Sequence, residues 1–255
     1  MTLPELDTYF NSFLKKENFP DDPSQNGIQI QNSAPDSKQI TKVAFAVDTC
    51  CDAVEKAAAA GAQLLFVHHG LFWGQSRTIT GLHYSRIASF IRHDIALYAS
   101  HLPLDANTNI GNNYGLAARL CLGGLQPFGL WRGMVIGVRG ILPQPLTLEE
   151  LSEAALGKNA KPAALFSFGR QKIKTVAIIS GGAGDDADQA AAAGVDAYIT
   201  GEVGHEDFYT IKESGLNVIA GGHYQTETVG VNLVRAKLEK EMHLETVFLD
   251  LPTGL

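Results

Sequence analysis

The sequence predicts an α/β fold made of two related halves with mostly parallel sheets. Three observations carry this reading. Short apolar runs alternate with alanine-rich or amphipathic stretches, the pattern of repeated βαβ units. Two of these units superimpose without a gap at a shift of 133 residues, Val43-Ala44 on Val176-Ala177 and Ala57–Gly61 on Ala190–Gly194. In each half a later strand is followed by a histidine and, four residues on, by an acid: His101 with Asp105, and His223 with Glu227.

The elements follow in order. Leu3 to Lys16 is an amphipathic helix with Leu6, Phe10, Phe13 and Leu14 on one stripe. Pro20 and Pro23 break the chain, Asn26-Gly27 turns it, and Ile28-Gln29-Ile30 is a short alternating strand. Val43 to Val47 is a buried strand. Asp48 and Thr49 are placed to cap the next helix, with Asp52 as capping-box partner, and Gly61 stops that helix. Leu64 to Val67 is the next strand, after which His68, His69 and Gly70 form its exit. Neighbouring side chains on a regular strand point to opposite faces. The two histidines are therefore expected to converge because the strand has ended, with Gly70 supplying the turn.

A helix over His83 to His93, a strand over Ile95 to Ser100 and a helix over Tyr114 to Leu122 complete the first part. Gly123-Gly124 and Pro127 mark a boundary. Beyond it come a strand within Met134 to Ile141, a helix at Leu148 to Leu156 opened by Thr147 and Glu150, and a strand at Leu165 to Phe168. The second βαβ unit spans Val176 to Thr200. A helix near Asp207, a strand at Leu216 to Ala220, a helix from about Thr226 to Glu241 and a strand at Thr246 to Leu251 close the chain. The expected lobes are 1–124 plus 215–255, which carries His68, His69, Asp105, His223 and Glu227, and 125–214.

Composition excludes several function classes. The net charge of −7 argues against a nucleic-acid partner, because such binding rests on a basic footprint. No apolar run approaches the roughly 20 residues of a membrane span, and the N-terminal stretch lacks the charged and apolar regions of a secretion signal. Cys50, Cys51 and Cys121 have no CxxC spacing and make no disulfide framework, so a cytoplasmic location is expected.

Five of the eight histidines lie at strand ends: His68, His69, His101, His205 and His223. His83, His93 and His243 read as structural or solvated. His223 and Glu227 share one face of a helix if it begins by Tyr224. Imidazoles with Asp105 and Glu227 make a mixed nitrogen and oxygen donor set, suited to Zn, Mn, Fe or Ni rather than Ca. Each acid also has a plainer reading, Asp105 as a turn cap and Glu227 as a helix-dipole partner. His101 stands open between a proton-transfer group and a residue that orients a ligand. Glu202 and His205 read equally well as a second polar cluster, a proton-transfer pair or a loop. Gly181-Gly182-Ala183-Gly184 is glycine-rich but lacks the GK[ST] ending of a P-loop, and Asp185 and Asp186 after it would repel phosphate.

Several stretches together resemble the NIF-three-like proteins with a dinuclear metal centre, also called GTP cyclohydrolase 1 type 2 homologues. They are Asn26-Gly27, Val67 to Trp73, Ser100-His101 to Leu104-Asp105, Gly201 to His205 and Gly222-His223-Tyr224 to Glu227. The resemblance covers nearly the whole chain. It implies two α/β lobes with a metal site in the cleft between them, a homohexamer, and two divalent metal ions held by His68, His69, Asp105, His223 and Glu227. The family usually has Asp where Glu202 stands and a second His where this chain has Glu206. The expected function is metal-dependent hydrolysis of a small nucleotide-like substrate, with His101 a candidate catalytic group. The alternative is a non-catalytic metal-binding assembly, metal carrier or adaptor.

Overall fold

The computed structural model describes residues 1–255. In chain order its elements are α1 (Leu3–Leu14), β1 (Gly27–Ile30), β2 (Lys42–Asp48), α2 (Cys51–Ala59), β3 (Leu64–His69), α3 (Gly81–His93), β4 (Ala96–Ala99), α4 (Leu102–Asp105) and α5 (Asn112–Arg119). There follow β5 (Gly123–Trp131), β6 (Met134–Leu146), α6 (Leu148–Leu156), β7 (Ala164–Ser167), β8 (Ile173–Ile178), α7 (Ala187–Ala192) and β9 (Ala197–Thr200). The last are α8 (Phe208–Ser214), β10 (Asn217–Ala220), α9 (His223–Met242) and β11 (Glu245–Phe248). The fold is α/β, as expected. Of the strand pairs, β2–β3, β3–β4, β2–β11, β8–β9 and β9–β10 are parallel.

The chain forms two compact units, Met1–Leu104 with Val231–Leu251, and Asp105–Gly230 with Pro252–Leu255. These bounds differ from the lobes expected at 1–124 plus 215–255 and 125–214. The reason is strand partnership: β10 lies inside the second sheet, and β5 with the preceding α5 also belongs to the second unit.

The first unit holds a sheet of order β1-β4-β3-β2-β11. Its strands are apolar on both faces because helices cover both. On one face Phe45, Phe66 and Tyr98 lie in one register row, and Phe10 of α1 packs on them with ring centroids 5.0 Å from Phe66 and 4.9 Å from Tyr98. On the other face Ala44, Ala46, Leu65, Val67, Leu97 and Ala99 meet Ala53, Val54 and Ala57 of α2 and Ile87 and Phe90 of α3.

The second unit holds a sheet of order β5-β6-β8-β9-β10-β7. Gly123, Gly124 and Pro127 lie within β5 and are no boundary. Proline is tolerated there because β5 is an edge strand, and the register slips between Gly123 and Gln126. Thr147 and Glu150 form the expected capping box of α6.

The repeat is visible in the topology. β1, β2, β3 and β4 correspond to β7, β8, β9 and β10: the same order, the same parallel centre and an antiparallel outer strand. Val43 pairs with Leu64 as Val176 pairs with Ala197, so the shift of 133 holds across both strands. His101 and His223 therefore follow equivalent strands. The positions differ by one residue, since Ala99 and Ala220 end the paired strands, two residues before His101 and three before His223.

Two local expectations are corrected. The cap of α2 is Cys50, whose Sγ accepts from the Ala53 amide at 3.4 Å. Strand β3 runs on through His69, held by Asp48 of β2 in register, and Gly70 does not take positive φ. Gly70 is needed for room instead, because a Cβ there would strike the Gln29 side chain, whose Oε1 accepts from the Leu71 amide at 2.7 Å.

Candidate metal centre

Within the first unit, the C-terminal ends of β3 and β4 gather three imidazoles. His68 is fully buried, and its ring centroid lies 4.6 Å from that of His69 and 5.1 Å from that of His101. One donor atom from each of the three falls within 4.8 Å of the others. Each Nδ1 is turned to an acceptor: the Ser100 carbonyl for His68 at 2.9 Å, Asp48 for His69 at 2.8 Å, and Asp22 for His101 at 2.8 Å. With Nδ1 of His68 and His69 so engaged, coordination of an ion by these two residues would fall to Nε2. Such outer partners fix the ring tautomer and orientation of metal-binding histidines. Trp73 stands edge-on to His101 at 4.9 Å and is itself tied to the Gly70 carbonyl.

Within the second unit, α9 begins at His223, so the helical spacing expected of His223 and Glu227 is met: His223 Nε2 lies 3.2 Å from Glu227 Oε1. Glu227 is buried, with 3% exposure. Glu202 hydrogen-bonds the other ring nitrogen of His223. Burial alone would lower the His223 pKa, but the two carboxylates outweigh it and raise the pKa to about 9. Gly181 adopts φ +71, and a Cβ there would collide with Glu227 Oε1. The glycine-rich loop thus leaves room for a carboxylate.

Asp105 lies in the second unit, at 6% exposure. Its Oδ1 accepts from Asn112 Nδ2 at 2.8 Å and from Ser180 Oγ at 3.0 Å. Asn113 Oδ1 accepts from the Ser180 amide at 2.7 Å. Both donors lie outside the turn that follows Asp105, so the acid is positioned by residues of α5 and of the loop after β8. His205 is exposed, at the start of a one-turn helix stabilised by Asp207.

Sequence reasoning missed Asp22, Asp48 and Ser180. Asp48 reads as a helix cap in the sequence, yet it sits opposite His69 in the β2–β3 register. Only the strand register could have revealed that partner. Asp22 carried one local signal, the Asx-turn spacing to Ser24.

The donor chemistry fits a divalent cation. Buried and half-buried imidazoles with buried carboxylates, oriented by outer hydrogen bonds, are the ligands that Zn, Mn, Fe and Ni accept.

Comparisons with known proteins place the chain in a family. The family described as Duf34/NIF3 (NGG1p interacting factor 3) matches residues 1–253. The "GTP cyclohydrolase 1 type 2 homolog" of Treponema pallidum is 43% identical over 290 residues, covering 100% of both chains. The protein of the same description from Deinococcus radiodurans is 41% identical over 251 residues, 98% of this chain and 94% of that one. The crystal structure of TTHA1606 from Thermus thermophilus superimposes with a TM-score of 0.89 at 38% identity, covering 100% of both chains. The chain thus belongs to the DUF34/NIF3 family.

Proposed function

We propose that the protein binds two divalent metal ions through His68, His69, Asp105, His223 and Glu227, and that it is a metal-dependent hydrolase of a small, nucleotide-like substrate. The observation that carries this reading is the buried carboxylate of Glu227 beside the His223 Nε2 atom, with glycine at 181 leaving it room. A buried, oriented acid–imidazole pair costs stability unless a cation or proton compensates it. The likeness to relatives described as GTP cyclohydrolase 1 type 2 homologues supports the hydrolytic class.

When bound, the ions would supply Lewis acidity to a substrate oxygen and lower the pKa of water. The chain supplies the rest. Asp48 and the Ser100 carbonyl hold the rings of His69 and His68. Ser180 and Asn112 aim Asp105. His101, its Nδ1 engaged by Asp22, offers Nε2 for proton transfer. The protein acts as a homohexamer in the cytoplasm. Self-association is supported by apolar side chains left exposed on α3 (Leu82, Tyr84, Ile91) and on the β5–β6 hairpin (Leu130, Val135).

The second reading is a non-catalytic metal carrier, adaptor or metal-dependent assembly. It draws on the glycine loop: Gly181 serves Glu227, and Asp185 and Asp186 follow at once, leaving no evident phosphate cradle. Metal content and hydrolysis of a nucleotide and phosphoester panel, measured for wild type and Glu227→Ala, separate the two. The hydrolase reading expects turnover by the loaded wild type and its loss with the metal in the variant. A loaded wild type inert on every substrate favours the carrier. A wild type that retains none of Zn, Mn, Fe or Ni contradicts both.

A further inference from the structure

We infer that Asp22 is the positioning residue of His101: it fixes the ring in the Nδ1–H tautomer and keeps the Nε2 lone pair facing His68 and His69 as a proton acceptor. Asp22 lies in the loop between α1 and β1, and its side chain is fully buried. Its two oxygens accept four hydrogen bonds. Oδ1 takes His101 Nδ1 at 2.8 Å and the Ser24 amide at 2.9 Å; Oδ2 takes Asn26 Nδ2 at 2.8 Å and the Leu102 amide at 3.1 Å. Burial would raise its pKa, but the His101, Asn26 and Ser24 bonds outweigh it and hold the carboxyl below its usual value. An ionised carboxylate only accepts, so the His101 nitrogen facing it must carry hydrogen. Both lone-pair directions of each oxygen are used, which fixes the carboxylate as well as the ring.

The same loop also fixes the backbone beneath the ring. The His101 amide donates to Asn26 Oδ1 at 2.8 Å, and the Trp73 ring packs T-shaped against the imidazole with centroids 4.9 Å apart. His101 therefore has little freedom to turn, and its Nε2 is the nitrogen presented to the cluster. A buried aspartate that selects a histidine tautomer is the device by which catalytic imidazoles are made ready to accept a proton. The use of that nitrogen in hydrolysis rests on the function proposed above; the tautomer and its cause do not.

The test is proton-detected nitrogen NMR of ¹⁵N-histidine-labelled, metal-free protein, at a pH where neutral imidazole predominates, on wild type, Asp22→Asn and Asn26→Ala. Wild-type His101 is expected as Nδ1–H. In Asp22→Asn the amide can turn its NH₂ to the ring, and His101 is expected to shift to Nε2–H. Asn26→Ala loosens the same loop but keeps the carboxylate, so Nδ1–H should persist. An Nε2–H wild type, or an unchanged tautomer in Asp22→Asn, overturns the inference; the wild-type spectrum decides it even if the variant fails to fold. Zinc titration of the same samples should show Asp22→Asn within about threefold of wild type, well short of the 10- to 100-fold loss typical when a ligand's own support is removed. A tenfold or greater loss would overturn the proton-acceptor role by making His101 a ligand. A wild type with the expected tautomer but no zinc binding leaves Asp22 in place and refutes the metal reading alone.

Discussion

His223 lies between two carboxylates, Glu227 on Nε2 and Glu202 on Nδ1, and this arrangement has a pH signature. Its pKa is raised from 6.5 to about 9 in the folded protein. A raised imidazole pKa contributes stability that is fully present below the unfolded value of 6.5 and is lost as pH rises through 9. Metal-free wild type should therefore exceed Glu202→Gln in Tm at pH 6.5, and the gap should shrink by pH 9.5. A gap independent of pH would contradict the assignment. Metal must displace the same proton, so affinity should increase with pH over this range. At this scale His68, His69, His223 and Glu227 were legible because their spacing is local. Asp22 and Asp48 were not, because their partners are set by a loop fold and a strand register.

The segment that opens α7 carries a second titration. Asp186 is buried at 7% exposure, and desolvation, with Asp185 and Asp188 nearby, raises its pKa to about 6. An acid with a raised folded pKa favours the native state when protonated, so that stability is lost as pH climbs from 3.8 through 6. Asp186→Asn removes the penalty and keeps an oxygen for Gln189 Nε2. Urea unfolding should show a gain of roughly 1–3 kcal/mol at pH 8 and almost none at pH 4. In β3, Phe66→Ala should cost about 3–5 kcal/mol, since it empties the row shared with Phe45, Tyr98 and Phe10. The buried strands were plain from sequence because their apolar runs are continuous. The edge strand β5 was not, because its glycines and proline look like punctuation until the free edge that tolerates them is known.

At the scale of the molecule, two units with equivalent strand order each bring polar side chains to strand ends: three imidazoles in one, and Asp105, His223 and Glu227 in the other. The alanine-rich repeat made the doubled topology readable, and the preserved register of Val43 with Leu64 and Val176 with Ala197 bears it out. The bounds of the units were less readable, since β10 and β5 find their partners only through long-range pairing. Metal loading should stabilise the whole chain by mass action, raising Tm with free metal concentration. The most direct test of the central claim is anomalous diffraction from crystals grown with zinc. Two peaks are expected about 3.5–4 Å apart, each within about 2.0–2.2 Å of donor atoms drawn from His68, His69, Asp105, His223 and Glu227. Zinc bound elsewhere, with no peak at these five residues, would contradict it.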